Sequence, residues 1–193
     1  MHMLEEISQI LSSADLLYSD SDVEFAIARM ALEISEDLRE TNPVFLCVMN
    51  GGIVVSGKLL TRLNFPLTVD AINASRYNNK ISGEEIEWIQ KSKTNLKDRT
   101  VLIVDDILDE GLTLKAITDY CKKQGASSVY TAVLVDKILD KEKPIDADFV
   151  GLEVENRYLF GFGMDYKGYL RNADGIYACS STTLDEFNSS HEK

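Results

Sequence analysis

The sequence predicts an α/β fold in which a mostly parallel central sheet is flanked by helices. Three observations carry this. Short apolar runs of strand length recur without polar alternation, as strands buried on both faces require. Amphipathic, helix-length segments separate them, and turn residues mark the junctions.

In chain order, residues 21–40 read as an amphipathic helix. Val23, Ile27, Met30, Ile34 and Leu38 recur at spacings of three or four, and Ser21 with Glu24 fits a capping box. Asn42-Pro43 ends that helix, since the residue before proline is pushed out of the helical region. Val44–Met49 is a buried strand; Asn50-Gly51-Gly52 turns the chain, and 53–63 is expected to be helical. Leu67–Ile72 is the next strand. The polar stretch from Asn73 to Lys97 is too long for an ordinary connection. A lid with Glu87-Trp88-Ile89 in one arm is one reading of it; a disordered insertion is the other. Strands follow at Val101–Val104, Val129–Val135 and Phe149–Val154. The helix between the first two carries Leu114, Ile117 and Cys121 and stops at Gly125. In such sheets ligands bind beyond the carboxyl ends of the strands.

The 193 residues fit one domain. A net charge of −12 argues against a nucleic-acid partner, which would need basic side chains to displace counterions. No apolar run reaches membrane-spanning length, and Glu5 and Glu6 stand where a secretory signal would be basic and then apolar. The chain is therefore expected in the cytoplasm, away from membranes. Cys47, Cys121 and Cys179 are far apart in apolar stretches and read as buried thiols. The two histidines, His2 and His191, lie beside the ends of the sequence. A histidine-based triad or zinc site is thus hard to build, and the chemistry falls to carboxylates, lysine, arginine and backbone amides.

The central signal is Val101-Leu-Ile-Val-Asp105-Asp106-Ile-Leu-Asp109-Glu110-Gly111-Leu112-Thr113. A buried strand brings two adjacent carboxylates to its carboxyl end, and a short loop with one glycine enters a helix. Amides at the helix start and the Thr113 hydroxyl make a phosphate site, with Gly111 free to adopt positive φ or approach closely. Three carboxylates beside a phosphate repel it unless a metal or sugar hydroxyls occupy them. That combination suits a phosphorylated ribose with its cation.

This segment resembles the phosphoribosyl-diphosphate motif of type I phosphoribosyltransferases, particularly the bacterial hypoxanthine-guanine enzymes. The order of other motifs agrees: Val48-Met49-Asn50-Gly51-Gly52, Arg76-Tyr77, Val133-Leu-Val-Asp-Lys137, and Tyr158-Leu159-Phe160-Gly161 through Asp165-Tyr166 to Arg171. The resemblance implies transfer of a phosphoribosyl group from 5-phosphoribosyl 1-diphosphate to a 6-oxopurine, with Mg²⁺ as cofactor and a homodimer or homotetramer as the assembly. It implies a single domain over 1–193, with a core at about 40–155 and a hood from the N-terminal segment and about 156–185. By the same resemblance Asp105 or Asp106 binds ribose hydroxyls, Asp109 contacts N7 of the purine as the catalytic base, and residues 109–113 hold the 5′-phosphate. Asn50, Gly51, Arg76, Tyr77 and Arg171 fall at pyrophosphate contacts. Lys137 falls at the purine 6-oxo group, Tyr158 at a stacking position and Leu159 at a backbone contact to the base edge. Asp165 falls at the base subsite and, with Asp105 and Asp106, among the metal-associated carboxylates. A cis peptide before Gly51 is also implied. The chain departs from the pattern at Glu110, often threonine or serine; at Asn50, often lysine; and at Arg76, usually serine.

Other readings stay open at this point. A signalling receiver domain also begins with a strand and paired aspartates, but only 93 residues remain from Val101 and Gly111-x-Thr113 goes unexplained. A catalytically silent regulator that binds the sugar diphosphate, and an enzyme preferring xanthine, are the remaining alternatives.

Overall fold

The computed structural model describes residues 3–76 and 86–180 and has the expected α/β architecture. Its elements are α1 (Met3–Ser13), β1 (Asp15–Tyr18), α2 (Asp20–Leu38), β2 (Val44–Met49), α3 (Ile53–Leu60), β3 (Thr68–Arg76), β4 (Ile86–Gln90), β5 (Thr100–Leu108), α4 (Leu112–Lys123), β6 (Ser128–Ile138), β7 (Phe149–Glu155), β8 (Leu159–Phe160) and β9 (Ile176–Ala178). Six strands form one sheet in the order β4-β3-β2-β5-β6-β7, parallel except for the β3–β4 pair.

Helices cover both faces, which is why the central strands read as unbroken apolar runs. Leu102 and Val104 of β5 pack with Ile27, Met30 and Ile34 of α2 and with Leu59 of α3. Val101 and Ile103, pointing the other way, pack with Leu114, Ile117 and Cys121 of α4. Each such side chain, fully buried, contributes about 1.5–3 kcal/mol. All three cysteines are buried and free. Among the described residues no helix is long and apolar enough to cross a membrane.

The connections β2-α3-β3 and β5-α4-β6 run outward in opposite directions from the neighbouring strands β2 and β5. This leaves a crevice at their carboxyl ends, the place where open α/β sheets bind ligands. A second, three-stranded antiparallel sheet, β1-β9-β8, joins a strand from early in the chain to two from its last part. Helix α1 lies against it through Ile10, which is buried with Phe160, Tyr166 and Cys179.

Several boundaries differ from those expected. The capping box of α2 is Ser19 with Asp22, not Ser21 with Glu24: the Asp22 carboxylate accepts from the Ser19 amide at 2.9 Å. Helix α3 ends at Leu60, short of residue 63. β5 does not stop at Val104. It runs through Asp105 and Asp106 to Leu108, because Ile107 and Leu108 continue the ladder to Val135 and Asp136 of β6. Part of the long polar stretch is sheet, with β3 extending to Arg76 and β4 pairing back on it. The middle of the expected lid, residues 77–85, lies outside the described residues.

Candidate active site

The crevice holds a cleft of about 450 Å³ between the β2–α3 turn, the end of β5 and the start of α4. Asp105 and Asp106, only 8% and 7% exposed, form its floor. Asp109, Glu110, Gly111, Leu112 and Thr113 form one wall, with Asn50 and Gly51 opposite and Asp165 and Arg171 above. A second cavity of about 260 Å³ adjoins it and shares Asp106, Ile107, Asp109 and Asp165. Lys137, Tyr158, Leu159 and Met164 complete its lining.

Local sequence explains the shape of the larger cleft. Gly111 has a φ of 80°, in the left-handed region that suits glycine, and it is the N-cap of α4. The first amides of that helix have no intrahelical acceptor and face the cleft with the positive end of the helix dipole. Pro144 and Ile145, from the β6–β7 loop, back this turn: a Cβ on Gly111 would stand 3.2 Å from the Pro144 ring. Across the cleft a Cβ on Gly51 would fall 2.2 Å from an Asp106 carboxylate oxygen, so only glycine admits this approach. The Met49–Asn50 peptide is cis, one bond earlier than the position the resemblance implies.

Burial, and after it the charge of Asp106, hold the Asp105 carboxyl well above the usual carboxylate range. Burial also raises Asp106, against the opposing influences of Asp105's hydrogen bond and Arg171's positive charge. Two such acids side by side favour a ligand that brings hydroxyl donors or a cation.

Arg171 is held from two sides. It donates to the Gly163 carbonyl at 2.6 Å and pairs with Asp165 Oδ1 at 2.6 Å. The other Asp165 oxygen accepts from the Gly168 amide at 2.6 Å. Lys137 Nζ stands 3.0 Å from Asp109 Oδ2. Glu110, in the turn between β5 and α4, pairs with Lys141 of the β6–β7 loop.

The described residues thus bring together every candidate from the sequence except Arg76 and Tyr77. Arg76 is the last residue of β3 and Tyr77 lies outside the described residues. Sequence reasoning missed Ile107, which lines both cavities, and Gly163, whose added Cβ would fall 2.1 Å from the Gly51 carbonyl. Ile107 reads in the sequence as one more apolar residue. Gly163 carried a signal, as one of two glycines in the run Gly161-Phe162-Gly163.

A family model described as a phosphoribosyl transferase domain matches residues 13–167. A hypoxanthine-guanine-xanthine phosphoribosyltransferase from Tritrichomonas foetus is 34% identical over 158 residues, covering 81% of this chain and 86% of the relative. A hypoxanthine-guanine phosphoribosyltransferase from Streptococcus pyogenes serotype M3 is 30% identical, covering 81% and 88%. Among solved structures, a hypoxanthine-guanine-xanthine phosphoribosyltransferase superposes with a TM-score of 0.78 at 32% identity, covering 86% of this chain and 97% of that one.

Proposed function

The chain belongs to the phosphoribosyltransferase family, and on that footing we propose that it is a purine-salvage enzyme acting on 6-oxopurines. It transfers the phosphoribosyl group of 5-phosphoribosyl 1-diphosphate to N9 of hypoxanthine or guanine, releasing IMP or GMP and pyrophosphate. The observation that carries this reading is the pair of adjoining cavities. One has a helix N-terminus and buried acids suited to a phosphorylated sugar. The other has an ammonium beside a carboxylate, suited to the O6 and N7 edge of an oxopurine.

In the proposed reaction N9 attacks C1′ as the C1′–oxygen bond to pyrophosphate breaks, the bonding pair leaving with pyrophosphate. The proton on N7 passes to Asp109. Amides of residues 111–113 hold the 5′-phosphate, and Asp105 and Asp106 accept from the ribose hydroxyls. Arg171, Asn50 and Gly51 face the pyrophosphate, with Arg76 and Tyr77 assigned to the same group. Tyr158 stacks on the base, Leu159 offers its carbonyl to the base edge, and the β1-β9-β8 sheet is the hood over it. Positioning and fixed charges thus do most of the catalysis.

We assign Mg²⁺ as the metal. Among the described residues no three acidic, histidine or cysteine side chains can cage an ion alone. Mg²⁺ commonly takes one or two carboxylates plus substrate phosphates, so Asp105 and Asp106 fit an ion that arrives with the diphosphate. Asp165, with both oxygens engaged by Arg171 and Gly168, would serve the ion indirectly, by orienting Arg171. When bound, Mg²⁺ offsets charge on the leaving pyrophosphate. We further propose a homodimer or homotetramer in the cytoplasm.

The test is a panel of hypoxanthine, guanine, xanthine and adenine with phosphoribosyl diphosphate, detecting pyrophosphate with Mg²⁺ and with a chelator. Turnover of the first two, lost on chelation and restored by Mg²⁺, is the expected result. Sugar-diphosphate binding with no turnover of any base makes the protein a regulator. A dominant rate with xanthine changes the substrate.

A further inference from the structure

Glu6 is a carboxylate where a soluble helix normally keeps one in water. It sits on α1 and is 4% exposed. Its Oε1 accepts from the Tyr166 hydroxyl at 2.8 Å and from the Lys167 ammonium at 2.8 Å, some 160 residues further along the chain.

Tyr166 and Lys167 belong to the hairpin that follows Met164 and Asp165, two residues that line the second cavity. Tyr166 and Tyr169 exchange backbone hydrogen bonds of 2.9 Å around Lys167 and Gly168, both at positive φ. The Gly168 amide fixes Asp165. The Tyr166 ring, 2% exposed, meets Tyr158 edge to face with centroids 5.6 Å apart. Lys167 is a side-chain-bearing residue in a sparsely populated backbone region, a conformation that persists when its surroundings hold it.

A buried ion pair is weak evidence for stability, because apolar side chains of similar volume often serve as well. The geometry points to a different use: we propose that Glu6 is a positioning residue for the purine subsite. Through Tyr166 and Lys167 it holds the 165–168 hairpin and gives Tyr158 a fixed backing against which the purine plane stacks. This rests on the reading of Tyr158 as the stacking surface.

The experiment compares wild type with Glu6→Ala, Glu6→Gln and Tyr166→Phe, measuring KM for hypoxanthine, KM for phosphoribosyl diphosphate, kcat and melting temperature. Loss of a buried charge-assisted hydrogen bond to the hairpin should raise the hypoxanthine KM of Glu6→Ala about tenfold. The other two kinetic constants should stay near wild type. Tyr166→Phe keeps the ring and loses only the anchor, so it should reproduce most of the effect. Glu6→Gln still accepts from Tyr166 and should recover most of the base affinity. Parallel shifts in both KM values, or a lower melting temperature with an unchanged hypoxanthine KM, would reduce Glu6 to a structural role and overturn the proposal. Should Glu6→Ala not fold, Tyr166→Phe decides alone, with a wild-type hypoxanthine KM counting against the idea. Wild-type turnover tests the activity itself, so the two failures are told apart.

Discussion

Lys137 and Asp109 stand 3.0 Å apart, ammonium to carboxylate, at the junction of the two cavities. Lys137 is 8% exposed and leaves β6 one residue before its end, whereas Asp109 follows directly after β5. The neighbouring strands therefore present a donor beside an acceptor. The edge of a 6-oxopurine carries the complement, an acceptor at O6 beside N7.

On the proposed function, that pairing is what would set base selectivity. Adenine places an amino donor where Lys137 offers only donors, and sites built on polar pairing reject such an analogue by as much as about 10⁴. In Lys137→Met the KM for hypoxanthine and guanine should rise and the gap to adenine should narrow. Values of kcat/KM for three bases on both proteins check this. Unchanged base ratios would show that Lys137 does not read the 6-position.

Asp109→Asn separates proton transfer from placement, because asparagine still offers an oxygen to Lys137 but is no base. The kcat should fall by about 10²–10⁴, the range for loss of a general base. Binding of phosphoribosyl diphosphate, followed by calorimetry, should change far less. A wild-type kcat would remove the role.

Gly163 joins the Arg171 hairpin to the cleft. It has a φ of 110° and lies so close to the Gly51 carbonyl that a methyl group would overlap it. Gly163→Ala should cost about 1–3 kcal/mol, the usual range for overpacking, read as a lower midpoint in urea. Because Arg171 donates to the Gly163 carbonyl, pyrophosphate affinity should fall as well. Loss of stability with intact pyrophosphate binding would separate Gly163 from the site.

Asp70 ties the chain returning from β4 back to β3. One oxygen accepts from Ser92 Oγ, the Lys93 amide and the Thr94 amide, and the other from the Ala71 amide, all at 2.7–2.8 Å. Burial raises this carboxyl, but those donors outweigh burial and bring it down to about 2 from 3.8. A depressed folded value gives stability that is present above pH 3.8 and lost as pH falls towards 2. Asp70→Asn should be less stable than wild type by about 1–2 kcal/mol at neutral pH after allowing for solvent screening. The difference should shrink across that acid window in denaturation titrations. A difference independent of pH would assign the effect to shape instead of charge.

The central sheet was legible because strands covered on both faces have no polar register to hide them, as Val44–Met49 and Val129–Val135 illustrate. The end of β5 was misjudged for the opposite reason. Asp105 and Asp106 interrupt the apolar run, yet the ladder to β6 carries the strand past them. Helix α1 and strands β1, β8 and β9 were missed: the strands are two to four residues long, and what holds them is contact between distant parts of the chain. Glu6 shows the limit most clearly. Nothing around it in sequence marks it, since Tyr166 and Lys167, which it meets in the fold, lie beyond residue 160.

The pairing of β1 with β9 has a consequence for biosynthesis. Asp15 and Leu16 leave the ribosome long before their partners Ala178 and Tyr177. The parallel sheet, complete by Glu155, is in position to fold while translation continues, domains generally folding as units from the N-terminus. The smaller sheet must wait. During that interval the nascent chain already carries the acidic floor of its cleft but lacks Tyr158, Leu159, Met164 and Asp165, which line the neighbouring cavity, and β9, last of the described strands, then joins β1 and β8.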